Sequence, residues 1–371
     1  LHIQWRRVYT MKYYSPKKID QKDATYNVVF GERSNGKTFA LLRKGIKAFH
    51  DTKKQMGYVR RWKEDLTGRR AATLFNGVVE AGEVEKLTEG EYTGITYYAG
   101  KWYLCNFDEN NKAIYNDADL FCYAFALSDM EHNKSTSYPN IDLIVFDEFL
   151  TNSLYLQDEF VIFMNTISTI VRRRDGVKIY MLGNTVNKFC PYFKEMGLTN
   201  IAKMEQGTID VYRYGSSPLK VAVEYCAATE VDKDSESHKY FAFNNPKLSM
   251  ITGGAWELAI YPHIPVKYKP KDVLAIFFID FSDQIFQCEV VGIDDLYFVY
   301  IHQKTTPIKN SDDLVYCLEP NVKPNYNRSV YKPVNKLQTR IKWFFDNDKV
   351  FYQDNHVGDA VSNYLKYCKR I

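Results

Sequence analysis

The run Gly31-Glu32-Arg33-Ser34-Asn35-Gly36-Lys37-Thr38 fits G-x-x-x-x-G-K-[ST] at every fixed position, and it constrains the fold more than any other stretch. A loop of this kind works only between a strand and a helix. Before it, "TYNVVF" (residues 25–30) is rich in aromatic and β-branched residues, as a buried strand should be. After it, Phe39, Leu42, Ile46 and Phe49 recur at helical spacing. The context is therefore that of a phosphate-binding loop. Its backbone N–H groups face the phosphates, Lys37 reaches the β/γ oxygens, and Thr38 offers its hydroxyl to Mg²⁺. Residues 31–38 are the expected nucleotide-binding set.

A second apolar run ends in acid. In "IDLIVFDEF" (residues 141–149) four apolar residues precede Asp147 and Glu148, which reads as a Walker B strand. Asp147 is expected at the strand's end, binding Mg²⁺ through water. Glu148 is placed to polarise the attacking water. No guanine-reading N-K-x-D follows: "NKST", "NKAI", "NKFC" and "NKLQ" all lack the acid, so ATP is favoured over GTP. A third strand, "KIYMLGN" (178–184), ends at Asn184. It is expected to lie between the other two and to present Asn184 as a sensor of water or γ-phosphate, although an Asn after a strand can be a simple turn residue.

Between these strands, Phe160, Phe163, Ile167 and Ile170 mark a helix predicted to end at Asp175-Gly176. Arg172, Arg173 and Arg174 then fall in its last turn. There they complement the helix dipole for roughly 0.3–1 kcal/mol each, or offer a finger to a neighbour's γ-phosphate. From Lys53 to Arg70, seven basic residues stand against two acidic ones, interleaved with Tyr58 and Trp62. That segment reads either as a solvated face or as a surface for a nucleic-acid backbone.

At 371 residues the chain is long enough for two domains. It is 45% hydrophobic and 25% charged, with a net charge of +4. No run of about 18 apolar residues marks a membrane span, and "LHIQWRRVYT" is too short and polar for a signal peptide. Met11 reads as a plausible start, with the ten residues before it a leader. Seven cysteines without a C-x-x-C pair fit a reducing compartment and argue against structural zinc. From about residue 265, "VLAIFFIDFS", "QIFQCEVVGI" and "LYFVYIHQ" predict three antiparallel strands, and helices follow near "QTRIKWFF" and "GDAVSNYLKYC". This is compatible with an RNase H-like fold. Its candidate metal carboxylates are Asp280, Asp354 and Asp359, with Glu289 of uncertain facing. Two-metal chemistry needs such acids to converge, and an inactive domain is expected.

Four stretches resemble the DNA-packaging ATPases of phi29-like bacteriophages. They are "YVRRWKED" (58–65), "NKSTSYPN" (133–140) running into "LIVFDEF" (143–149), "VRRRDG" (171–176) and "GNTVNKFCPYF" (183–193). Order and spacing agree from the phosphate loop to about Phe193; the C-terminal third matches loosely, through "FFIDF", "LYFVYI" and "YQDN". The resemblance implies an ATP- and Mg²⁺-dependent motor that drives double-stranded DNA into a viral procapsid. It implies a homomeric, pentameric ring, docked transiently on the procapsid in the host cytoplasm through the portal and, in phi29 itself, a structural RNA. Carried over by position, Arg172 matches an arginine finger and Lys134 a second basic residue reaching the neighbour's nucleotide. Arg60 matches a residue near the catalytic glutamate, and Lys63 a lysine facing the DNA channel. Unit-length packaging would leave no concatemer to cut.

The expected architecture is α/β: an ASCE-type P-loop domain with a mostly parallel sheet over residues 11–226, a linker over 227–264, and a smaller RNase H-like domain over 265–371. The rival readings are a cellular DNA translocase or helicase, a terminase-type motor with an active nuclease, and a nucleotide-binding module without turnover.

Overall fold

The computed structural model describes residues 13–133, 136–185, 187–227, 260–264 and 266–369. The leader, Met11, Lys134 and most of the expected linker lie outside the described residues. The chain divides into two compact units with the boundary between Trp256 and Glu257.

Unit 1 carries strands β1 (Tyr26–Gly31), β2 (Gln55–Arg60), β3 (Gly94–Tyr98), β4 (Lys101–Phe107), β5 (Ala113–Ile114), β6 (Leu120–Ala126), β7 (Ile141–Asp147), β8 (Lys178–Asn184), β9 (Ile209–Arg213) and β10 (Lys220–Tyr225). They form one sheet in the order β3-β4-β6-β2-β7-β8-β1-β10-β9, with β5 paired to β4. The central strands β6, β2, β7, β8, β1 and β10 are mutually parallel, and β3, β4 and β9 add antiparallel edges. Runs such as "VVF", "LIVF" and "IYML" are continuous rather than alternating because both faces of the sheet are covered. Val28 and Phe30 pack on one side with Ile144, Phe146, Phe163 and Ile167. Val29 turns to the other, with Leu41, Ile46, Tyr58, Val145 and Leu182. β8 lies between β1 and β7, as expected, and this insertion is the mark of an ASCE ATPase fold. It brings three strand ends to one edge: Gly31 is in register with Asn184, and Asp147 with Leu182.

In unit 2, β11 (Val273–Phe281), β12 (Gln284–Ile293) and β13 (Leu296–Lys304) form the predicted antiparallel meander. β14 (Val315–Cys317), β15 (Tyr326–Asn327) and β16 (Val350–Tyr352) extend it in the order β15-β14-β11-β12-β13-β16. β14 runs parallel to β11, and β16 parallel to β13. The helices Lys336–Asp346 and Asn355–Cys368 are capped by Asn335 and Asp354, whose side chains accept from the amides of Gln338 and Val357. Phe277 meets Phe345, and Phe281 meets Tyr364, which seats the helices on one face of the sheet. Residues 260–264, expected in the linker, instead pack within this unit. The amide of Tyr261 donates to Asn355 Oδ1 at 3.0 Å, and its ring lies so close over Gly358 that no side chain fits there. Among the described residues, no helix is long and apolar enough to cross a membrane.

Candidate nucleotide site

The phosphate loop leaves the carboxyl end of β1 and enters the helix Lys37–Thr52. Gly36, just before the helix, has φ +87°, which only glycine adopts without strain. Glu32, Asn35 and Lys37 are buried, while Arg33 and Ser34 are exposed. Lys37 Nζ donates to Glu32 O at 2.6 Å, Asn35 Oδ1 at 3.0 Å and Asn184 Oδ1 at 3.3 Å. An ammonium has three donors, and these three oxygens match them. Burial lowers the Lys37 pKa, opposed by Cys226, Asp147 and Glu32. A phosphate arriving here would replace neutral acceptors with a charged one, which strengthens the hydrogen bonds.

Asp147 ends β7. Its Oδ2 accepts from Thr38 Oγ1 at 2.9 Å and from Tyr58 OH at 2.7 Å, and its Oδ1 from the Glu148 amide at 2.9 Å. Burial and the Asp147 charge push the Tyr58 pKa well up, so the phenol stays a donor. Thr38 and Asp147 present adjacent oxygens of the hard type that Mg²⁺ takes. When bound, the ion would neutralise charge on the phosphates. Glu148 adopts φ +56°, a conformation that costs a non-glycine residue about 1–3 kcal/mol. Its carboxylate is mostly exposed and accepts from Arg60 Nη2 at 2.6 Å. A cavity of about 250 Å³ is bounded by residues 34–39, Asp147, Glu148, Gly183 and Asn184. The structure thus gathers Lys37, Thr38, Asp147, Glu148 and Asn184, with Arg60 on its rim. Asn184 is no mere turn residue: it accepts from Lys37.

The arginines differ from expectation. The helix Glu159–Val171 ends four residues early, because Arg172 (φ +42°) and Arg173 (φ +65°) turn left-handed. They follow the last turn instead of lying in it. Arg174 is committed to structure: its guanidinium donates to Val171 O, Ile170 O, Tyr138 O and Asp142 Oδ1 at 3.0–3.2 Å. Arg172 and Arg173 are exposed. They lie beside the start of β8, at the opposite sheet edge from the loop, and among the described residues the cavity lining includes no arginine. Lys134 lies outside the described residues.

The basic segment 53–70 is not one continuous basic face. Lys54 pairs with Asp142, Lys63 with Asp129, and Arg70 with Asp65. Lys53 lies over the Phe49 ring, and Arg61 is buried against Glu159. Tyr58 points inward, and only Trp62 of the two aromatics is exposed. The hydroxyl of Tyr58 on Asp147 was not foreseeable from alternation alone, because it depends on the register Tyr58↔Val145 between β2 and β7.

In unit 2 the candidate acids do not share one environment. Asp354 caps a helix. Glu289 accepts from Tyr268 OH and Gln287 Nε2, both at 2.6 Å, and pairs with His302 at 3.3 Å. Among the described residues, no three His, Cys, Asp or Glu side chains are grouped to hold a metal ion.

A family model described as podovirus DNA encapsidation protein (Gp16) matches residues 9–212, more than half of the chain. The DNA packaging protein of Bacillus phage phi29 is 31% identical over 185 residues, 49% of this chain and 49% of that protein. That of Bacillus phage B103 is 29% identical over 179 residues, 47% of this chain and 49% of that protein. The chain spans about half the length of the curated relatives it matches. A solved chain of the bacteriophage Phi-29 viral genome packaging motor assembly superposes with a TM-score of 0.58 at 22% identity, covering 96% of this chain and 98% of that one. The Phi-28 gp11 DNA packaging motor gives 0.53 at 18% identity, covering 97% and 99%. At such identities the likeness is one of fold.

Proposed function

Because this chain belongs to the podovirus DNA encapsidation protein (Gp16) family, we propose that it is an ATP-driven motor subunit that moves double-stranded DNA into a procapsid as part of a homomeric ring. The observation that carries this reading is the convergence of Lys37, the Thr38–Asp147 pair, Glu148 and Asn184 on one cavity. A module that only binds nucleotide has no need of a carboxylate held beside the phosphates in a strained turn. Lys37 and the loop amides hold the triphosphate, and Thr38 and Asp147 hold Mg²⁺. Glu148 takes the proton of the attacking water as the γ-phosphate departs, with Asn184 orienting that water. Arg60 restrains Glu148 until a bound nucleotide and a neighbour draw it away. At about 250 Å³ the cavity suits the phosphate end of the nucleotide.

Arg172 serves the neighbouring subunit, since it stands at the far sheet edge from its own loop, and Lys134 is read as its companion. Lys63 is largely exposed, and its ion pair with Asp129 is worth little in water. A DNA phosphate can therefore displace the carboxylate, and backbone contact suits a motor that must grip every sequence alike. The remaining partners are the procapsid with its portal, and a structural RNA as a further docking element; the site of action is the host cytoplasm. Unit 2 is read as a nuclease-inactive RNase H-like domain, on the support of its sheet, a meander extended by a parallel strand beside β11.

The test is phosphate release with and without duplex DNA, alongside a strand-displacement assay. Hydrolysis without unwinding is expected. Unwinding would favour a helicase, and Mn²⁺-dependent plasmid nicking lost in Asp280→Asn would favour a terminase-type nuclease motor.

A further inference from the structure

Arg61 sits one residue past β2 and is buried, as is Glu159, the first residue of the helix Glu159–Val171. Arg61 Nε and Nη2 hold the Glu159 carboxylate at 2.7 and 2.9 Å in a fork. The same guanidinium donates from Nη1 to Glu148 O at 3.2 Å and from Nη2 to Phe149 O at 2.8 Å. Glu159 also accepts from Tyr192 OH at 2.8 Å and from the Leu156 amide at 2.7 Å, and the Tyr155 ring lies 4.9 Å from the Arg61 guanidinium. One buried cation thus bridges the backbone of the strained Glu148 turn and the start of the helix that Arg172 follows.

We propose that Arg61 and Glu159 form a positioning linkage that ties the geometry of the Glu148 turn to the helix that leads into Arg172. Stability alone does not account for the pair. A buried ion pair is often no better than well-packed apolar residues of the same volume. What an apolar pair could not supply is the grip on the carbonyl oxygens of Glu148 and Phe149, which belong to the two peptide bonds following Glu148. Those bonds hold the Glu148 backbone in its left-handed conformation and so aim its carboxylate. The fork on Glu159 makes that aim depend on the seat of the helix. Movement of Arg172 against a neighbour would pass along the helix to Glu159, through Arg61, and into the turn. Lysine cannot substitute, because a point charge lacks the planar fork that reaches carboxylate and carbonyls together.

This inference rests on the ATPase reading, and two readouts on the full-length protein separate them. In Arg61→Lys, ATP affinity should stay within about twofold of wild type while turnover falls roughly 10²-fold, the scale expected for misplacing a reacting group by about 1 Å. Wild-type turnover or a parallel loss of affinity would each overturn the linkage. Amide hydrogen exchange needs no turnover. In Glu159→Gln, whose amide oxygen can keep the bond from Tyr192 OH while the charged fork on Arg61 is lost, exchange should rise at residues 147–150 as well as 159–163; a rise confined to 159–163, or spread over the whole unit, would overturn the proposal. The double variant Arg61→Met/Glu159→Leu should keep the thermal midpoint without recovering turnover. Recovery of both would reduce the pair to packing, and if the double variant does not fold, Arg61→Lys decides. Absence of any wild-type turnover that Lys37→Ala removes would sink the ATPase reading, whatever the exchange data say of the linkage.

Discussion

Asp147 in unit 1 and Asp280 in unit 2 both stand near the carboxyl end of an apolar strand, and their surroundings differ. Asp147 is flanked in space by a glycine loop, a threonine hydroxyl, a second carboxylate and a buried lysine, because β7, β8 and β1 are parallel neighbours that all end at one edge. Asp280 stands opposite Ile285 on antiparallel β12 and beside Cys317 on β14. Antiparallel β12 sends its end to the opposite edge, and parallel β14 brings Cys317, not an acid, to the edge where Asp280 stands. Two of the candidate acids of unit 2 serve the fold, Asp354 as a cap and Glu289 in an ion pair. A carboxylate at a strand end becomes chemistry only where topology brings phosphate-binding groups to it.

The largest effect that would break this contrast concerns Arg172. If unit 1 completes its site with a neighbour's arginine, Arg172→Ala should cost roughly 10³–10⁵ in turnover, with ATP affinity retained. Mixing Arg172→Ala with Glu148→Gln subunits should restore some phosphate release, because some interfaces pair an intact arginine with an intact glutamate. Mixed rings showing only the sum of their components' residual rates would remove the trans role. Arg173 would then be the residue to test, since Arg174 is held by four acceptors of its own subunit.

A smaller effect sharpens the other side. Asp354→Ala should cost unit 2 about 1 kcal/mol, the usual value of an N-cap, and leave turnover unchanged in urea-free buffer. Denaturant unfolding followed by hydrogen exchange in the helix Asn355–Cys368 checks the first part. Lost turnover would mean that Asp354 belongs to a site.

The smallest effect is in pH. Bonding to His302, with help from Tyr268 and Gln287, lowers the Glu289 pKa from 4.5 to about 2, and the same contact raises that of His302 above 6.5. Glu289 is depressed, so its contribution is present above about 4.5 and lost as pH falls toward 2. His302 is raised, so its contribution is complete below about 6.5 and lost as pH rises through its folded value. The pair therefore stabilises unit 2 most between about pH 4.5 and 6.5. Exchange protection in β12 and β13, corrected for intrinsic rates, should weaken modestly toward pH 8 in wild type and not in Glu289→Gln.

Much of this was legible in the chain. "VVFGERSNGKT", "LIVFDE" and "KIYMLGN" each carry their structure in local pattern, and the meander in unit 2 was readable from three apolar runs broken by turns. What could not be read depended on partners distant in sequence. Arg61 looked like one more cation of a basic segment, because nothing local says that Glu159, 98 residues on, will be buried beside it. The early end of the helix Glu159–Val171 was hidden because arginine has good helical propensity, and only the structure shows two successive left-handed residues. β3 was missed because its short, mostly half-buried, mixed sequence lacks the continuous apolar run of the central strands.

The central claim is that unit 1 divides its labour, Lys37 holding phosphates in the ground state and Glu148 acting on water in the transition state. ATP affinity and phosphate release should be measured side by side for wild type, Lys37→Ala and Glu148→Gln. The account predicts that Lys37→Ala loses binding, whereas Glu148→Gln binds as wild type does and releases almost no phosphate. Equal loss of affinity in both variants, or undiminished turnover in Glu148→Gln, would contradict it.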